Sequence, residues 1–144
     1  MITLSNFNET LAELMDERNL SSRALGNIVG TRDSSIRGWR AGKYKLYLSN
    51  ALKLAVYFEC SLQFLMGRTD NRLDFTPREC PPFYNQLLKV MEQHKKSRYR
   101  VVKDTAFSNG HFTKWKNGAD PSMQSIIDLA DYFRLTLDAL VGRE

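Results

Sequence analysis

The feature that most limits what this chain can become is that it is written twice. Displaced by 76 positions, Phe7, Leu11, Leu14 and Met15 fall on Phe83, Leu87, Val90 and Met91, and Ser21 falls on Ser97. Ile36, Trp39 and Gly42 likewise fall on Phe112, Trp115 and Gly118. One deletion later the displacement is 75, and LKLAVYFECSLQFLMGR (residues 52–68) overlies IDLADYFRLTLDALVGR (residues 127–143). A repeat of about 65 residues can close a small core of its own, so duplication argues for two modules rather than one domain. Between the copies, TDNRLDFTPRECPP holds three prolines in its last six residues and reads as a connection. The sequence therefore predicts a first domain over residues 1–70, a linker over 71–80 and a second domain over 81–144.

Each copy divides into five short helical patterns. In the first, Phe7, Leu11, Leu14 and Met15 follow i, i+4, i+7, i+8 spacing, and Asn6 with Glu9 three residues on reads as a capping pair. The fourth helix of the second copy starts at Pro121 and Ser122, and its stripe is Met123, Ile126, Ile127, Ala130 and Phe133. The fifth begins at Ser61 or Thr136, both good N-caps, and ends at Gly67 or Gly142. No stretch alternates with period two for long enough to form a strand. The fold class is all-α, five helices repeated once.

Several function classes drop out. Two histidines, no Ser-His-Asp order, no glycine-rich phosphate loop and no ligand cluster leave no expected catalytic, cofactor or metal site. Cys60 falls in an apolar run as a buried thiol and Cys80 in the linker, too few for a disulfide framework. No apolar run reaches the length of about 18 residues that a membrane helix needs. The opening MITLSNFNETLAE also lacks the order of a signal peptide, so the chain is expected in the cytoplasm with no membrane partner. Net charge is +5, with 10 basic and 8 acidic residues up to Thr76 and 11 and 8 beyond it. Both halves lean toward an anionic partner without forming a charged tail.

Residues 20–42, LSSRALGNIVGTRDSSIRGWRAG, carry the main functional signal. Ser21 can cap a helix through Ile28, Gly30 breaks it, and Thr31 can cap a second helix over residues 32–40. Two helices of about eight residues around a short glycine turn make the helix-turn-helix pattern. In the second of them only Ile36 and Trp39 are large and apolar. One narrow stripe thus anchors the helix while Asp33, Ser34, Ser35, Arg37 and Gly38 face outward. A helix with short hydrogen-bonding side chains on its free side can enter the major groove of DNA.

At Leu20, Ser21, Leu25, Val29, Gly30, Ile36, Trp39 and Gly42, and again at Ser97, Val101, Phe112, KWKNG (residues 114–118), Pro121 and Ser122, the chain resembles a known family. It is that of the phage-repressor-like, Cro and xenobiotic-response-element type helix-turn-helix proteins. The resemblance implies two tandem five-helix lambda-repressor-like domains and a partner in double-stranded DNA, read in the major groove. It also implies transcriptional regulation, as a repressor, in a bacterial, phage or mobile-element setting, nucleoid-associated and without a small-molecule ligand. Base readout is implied for Asp33, Ser34, Ser35, Arg37 and Gly38 in copy one, and for Asn109, Gly110, His111, Thr113 and Lys114 in copy two. Ser22 and Arg98 would lie at the phosphates or the edge of the site, and Arg40, Lys43, Lys116 and Asn117 would fix each helix to the backbone.

Four positions depart from the pattern. Ala106 stands where copy one has Gly30, at a cost of around 1 kcal/mol if that residue must take positive φ. Asp33 could accept from a cytosine amine, cap its own helix or repel phosphates. Leu46 and Tyr47 stand where copy two has Pro121 and Ser122. Asp33 and Ala106 favour the alternative, a protein-interaction module of antitoxin or co-regulator type in which one or both copies have lost DNA binding. For a DNA binder, half-sites lie about 34 Å apart, and a linker of about 14 residues can extend to roughly 45–50 Å. One chain is then expected to act as a pseudo-dimer, with a homodimer as the other arrangement. The chain ends two residues after Gly142, so no separate ligand-binding, protease or dimerisation domain is expected.

Overall fold

The computed structural model describes residues 5–144, with only the backbone of Ser5; the first four residues of the N-terminal segment read above lie outside the described residues. All regular structure among them is helical. The chain divides into two compact units, meeting between Asp74 and Phe75. Unit one holds α1 (Ser5–Glu17), α2 (Ser22–Val29), α3 (Asp33–Arg40), α4 (Leu48–Phe58) and α5 (Leu62–Leu65). Unit two holds α6 (Phe83–Gln93), α7 (Arg98–Asp104), α8 (Asn109–Lys116), α9 (Met123–Phe133) and α10 (Leu137–Val141).

Local chemistry fixes most of the boundaries. Ser21 and Ser97 cap α2 and α7 by accepting from the backbone N–H of Ala24 and Arg100, and Ser122 caps α9 through Ser125. Ser61 and Thr136 cap the short fifth helices, and Gly67 and Gly142 follow with φ of 74° and 84°. Two expected caps are corrected. Asn6 lies inside α1, where its carbonyl accepts from the Thr10 hydroxyl at 2.9 Å. The N-cap of α3 is Arg32 and not Thr31, because the chain needs an extended residue after the turn and Arg32 supplies it at φ −79° and ψ 145°. The stripes meet as apolar cores: Phe7, Leu11, Leu25, Ile36, Trp39, Leu54 and Phe58 are buried in unit one, and Leu87, Val101, Phe112, Trp115, Ile126 and Phe133 in unit two.

The turns before α3 and α8 differ, which removes the expected strain at Ala106. In unit one Gly30 takes φ 75°, and the N–H groups of Gly30 and Thr31 both bond the Gly26 carbonyl. A Cβ on Gly26 would sit 2.7 Å from the Thr31 carbonyl oxygen, so this turn needs glycine at both places. Unit two has Val102 and Ala106 there. It ends α7 earlier, with Thr105 extended at φ −127°, its hydroxyl donating to the Val101 carbonyl at 2.6 Å and accepting from Phe107 N–H at 3.1 Å. Ala106 is not among the positive-φ residues, so no penalty arises.

The expected linker is shorter than its composition suggests. Ser61 N–H donates to the Arg72 carbonyl at 2.8 Å, and the Arg72 guanidinium bonds the Phe58 carbonyl at 2.8 Å. At the other end Arg78 N–H donates to the Arg143 carbonyl at 3.0 Å, and its guanidinium bonds the Glu144 carbonyl at 2.8 Å. Residues 72 and 78 therefore belong to the units on either side of them, and residues 73–77 join the two.

Candidate nucleic-acid interface

Four aromatic rings set α8 in unit two. Trp115 meets Phe83, Phe107 and Phe112 at centroid distances of 5.5, 5.3 and 5.4 Å, all edge-on. Phe112 and Trp115 are buried, so the opposite side of the helix is fixed outward: Asn109, Gly110, His111, Thr113, Lys114, Lys116 and Asn117 are all exposed. The helix NGHFTKWK carries no acidic residue, and Lys114 and Lys116 fall in its last turn, where the dipole favours cations.

Arg98, expected at the phosphate edge, is held by α8 itself. Its Nε donates to Asn109 Oδ1 at 3.0 Å, and its Nη2 donates to the Asn109 carbonyl at 2.7 Å and to Thr113 Oγ1 at 3.2 Å. The guanidinium carbon stands 5.2 Å from the Phe112 ring centroid. Asn109 is thereby fixed with one Oδ1 lone pair and both amide N–H groups left over, the acceptor and donor that adenine N6 and N7 require. The two Nη1 donors of Arg98 enter none of these bonds, and the side chain is half-exposed.

His111 has a role the sequence did not reveal. Its Nδ1 accepts from Ser108 N–H at 3.0 Å, the reach-back half of a capping box, which ordinarily falls to Glu or Gln. The proton then sits on Nε2. The imidazole also stacks edge-on against Phe107 at 5.3 Å. His111→Ala is expected to destabilise unit two by about 1 kcal/mol through removal of the cap, and a thermal melt showing no change would mean the bond is not retained in solution.

Unit one is built on the same plan with a different surface. Ile36 and Trp39 are buried, Trp39 meets Phe7 at 6.4 Å, and its indole N–H donates to the Lys45 carbonyl at 3.3 Å. Ser34, Arg37, Arg40 and Lys43 are exposed, while Ser22, Asp33 and Ser35 are half-buried. Asp33 pairs within its own helix, Oδ2 lying 2.6 Å from Arg37 Nη1. That bond holds its carboxyl below the usual carboxylate range. The face of α3 thus cancels part of its own charge, whereas that of α8 does not. One expectation is overturned: Gly38 is buried, because the Tyr44 ring lies across it.

Of the basic stretch HKKSRYR (residues 94–100), much is engaged locally. His94 Nδ1 pairs with the Val90 carbonyl at 3.0 Å, Arg98 is bound to α8, and Arg100 lies 3.5 Å from Asp104. Tyr99 is 71% exposed. Among the described residues no three His, Cys, Asp or Glu side chains gather so as to hold a metal ion, and no helix is long and apolar enough to cross a membrane. Set against known proteins, the chain is matched by no family model, no curated protein and no solved structure.

Proposed function

We propose that the two units are lambda-repressor-like helix-turn-helix domains and that the chain is a sequence-specific double-stranded DNA-binding transcriptional regulator, acting as a repressor. The observation that carries this reading is the free face of α8. It is a slim helix held by Phe112 and Trp115, presenting Asn109 fixed by Arg98, with Lys114 and Lys116 and no carboxylate. Asn109 would read adenine, Lys114 would reach guanine O6 and N7, and Gly110 and Thr113 would admit close approach and a hydroxyl contact. Lys116, Asn117 and the Arg98 Nη1 group would hold the phosphates at the margins and set register. In unit one Ser34, Ser35 and Arg37 would read bases, and Ser22, Arg40 and Lys43 would bind phosphate. Asp33, paired with Arg37, would serve to orient that arginine rather than to accept from cytosine. The two faces differ, so the site would consist of two unlike halves spanned by one chain.

The test is a gel shift of the full chain on duplexes selected from a random pool. Changing Arg98, Lys114 and Lys116 together to Ala is expected to weaken binding by well over about tenfold and to make the salt dependence shallower, by about one unit of slope for each phosphate no longer neutralised. Unchanged affinity would remove the reading.

A specific observation favours the second reading, a protein-interaction module, for unit one. Ile28, Val29, Leu52, Lys53, Val56 and Tyr57 line an open groove of about 500 Å³ between α2 and α4, with Ile28 49% and Val56 65% exposed. In unit two the positions equivalent to Ile28, Val56 and Tyr57 are Asp104, Asp131 and Tyr132. There the Tyr132 hydroxyl donates to Asp104 at 2.6 Å. If the full chain shifts no duplex at low salt, this groove becomes the leading candidate site.

A further inference from the structure

Position 38 is where the two units part most sharply. Its counterpart in unit two is Lys114, exposed on the outward face of α8, yet Gly38 is covered. The cover is the ring of Tyr44. A Cβ built on Gly38 would stand within 2.0, 2.4 and 2.7 Å of three carbons of that ring, so only glycine leaves room for it. Glycine inside a helix costs about 1 kcal/mol relative to alanine, and here the missing side chain is replaced by one delivered from outside the helix.

The delivery follows from the backbone. Gly42 takes φ 72°, Lys43 N–H bonds the Gly38 carbonyl at 2.8 Å, and the reversed chain brings Tyr44 back over α3. Unit two makes the same reversal, with Gly118 at φ 93° and Ala119 N–H on the Lys114 carbonyl at 2.9 Å. There the pair of positions holds Lys114 and Asp120 instead of Gly38 and Tyr44. The Tyr44 ring remains 59% exposed, and it stands between the exposed Lys43 and Lys45, with Arg40 also exposed at the end of α3.

We infer that Tyr44 is a base-reading side chain of unit one, its ring taking the place on α3 that the Lys114 side chain takes on α8. This rests on the DNA-binding reading and deepens it. A lysine at that place selects guanine through O6 and N7; an aromatic ring has an apolar face, and its complement in the major groove is the C5-methyl group of thymine. Arg40, Lys43 and Lys45 would sit at the phosphates on either side, and the Asp33–Arg37 pair would lie one turn back along the helix. Unit one therefore prefers thymine at the base pair where unit two prefers guanine.

The experiment is selection from random duplex DNA by the full chain, followed by binding of the selected duplex with thymine replaced by deoxyuridine, one position at a time. For the native chain, one or two of these methyl deletions in one half of the site are expected to weaken binding about 3- to 10-fold. Tyr44→Ala should weaken binding to the thymine duplex by a similar factor, lose the sensitivity to uracil and broaden base preference at that position alone. Gly38→Ala, which keeps the tyrosine but pushes its ring away, should do the same. A melt matching the native chain shows that the exposed ring was not holding the unit together. Selection that succeeds, but with base preference unaltered in both halves by Tyr44→Ala, overturns this inference and leaves the DNA-binding reading intact. A native chain that selects no sequence overturns both.

Discussion

Asp138→Ala is expected to remove about 3–5 kcal/mol of stability from unit two. The carboxylate is fully buried, and its Oδ1 accepts from Arg143 Nη1 at 3.0 Å, with the arginine side chain only 3% exposed. Without Asp138 the buried guanidinium loses the carboxylate that balances its charge, and that imbalance, rather than the loss of attraction, sets the size of the effect. A unit of about 70 residues has a total stability of roughly 4–10 kcal/mol, so the variant should leave unit two partly or wholly unfolded. Unit one has no counterpart of this pair, since Gln63 and Arg68 stand at the equivalent positions and bring no carboxylate. Each unit contains one tryptophan, Trp39 or Trp115, so denaturant titration followed by fluorescence in a Trp39→Phe background reads unit two alone. Replacing both partners, Asp138→Leu with Arg143→Met, should cost less than the single change, because no charge is stranded. A single-variant loss below about 1 kcal/mol would show that water reaches the pair.

Most of the fold was legible because its signals are local and repeat. Apolar spacing placed the helices, and serine and threonine caps placed four of their starts, at Ser21, Ser61, Ser122 and Thr136. What was not legible depends on side chains meeting across the chain. The turn of unit two avoids positive φ at Ala106 because α7 stops earlier and Thr105 closes it through its hydroxyl, a choice that residue types alone do not dictate. Arg98 reads in sequence as a ligand at the phosphates or the edge of the site, but in the fold its guanidinium bonds Asn109, eleven residues on. His111 at the third position of its helix is a weak capping signal, since the reach-back residue is usually Glu or Gln. Gly38 looked outward by helical phase, and only the reversal at Gly42 reveals that another residue occupies its place. The candidate surface of unit two was thus readable as a set of exposed positions, and its internal bonding was not.

If one chain spans two half-sites, the full chain should bind a duplex carrying both about 10²- to 10⁴-fold more tightly than the same duplex with either half scrambled, because the second half-site is met at an effective concentration near millimolar. The shortened connection makes that gain strict in spacing. From Arg72 to Arg78, each bonded to its own unit, there are six residue steps, which extend to no more than about 20 Å. Inserting about five base pairs between the half-sites adds about 17 Å and turns the second one to the far side of the duplex, so the gain should disappear. Inserting about ten returns it to the same side but about 34 Å further off, still beyond a linker of this length. Adding about 20 Gly and Ser residues after Asp74 supplies a root-mean-square reach of roughly 25 Å more. It should restore much of the gain on the ten-pair duplex while restoring little on the five-pair duplex. Two separate chains meeting as a homodimer would show spacing limits that such a linker leaves unmoved, so a lengthened chain with unaltered spacing preference would assign the two half-sites to two molecules.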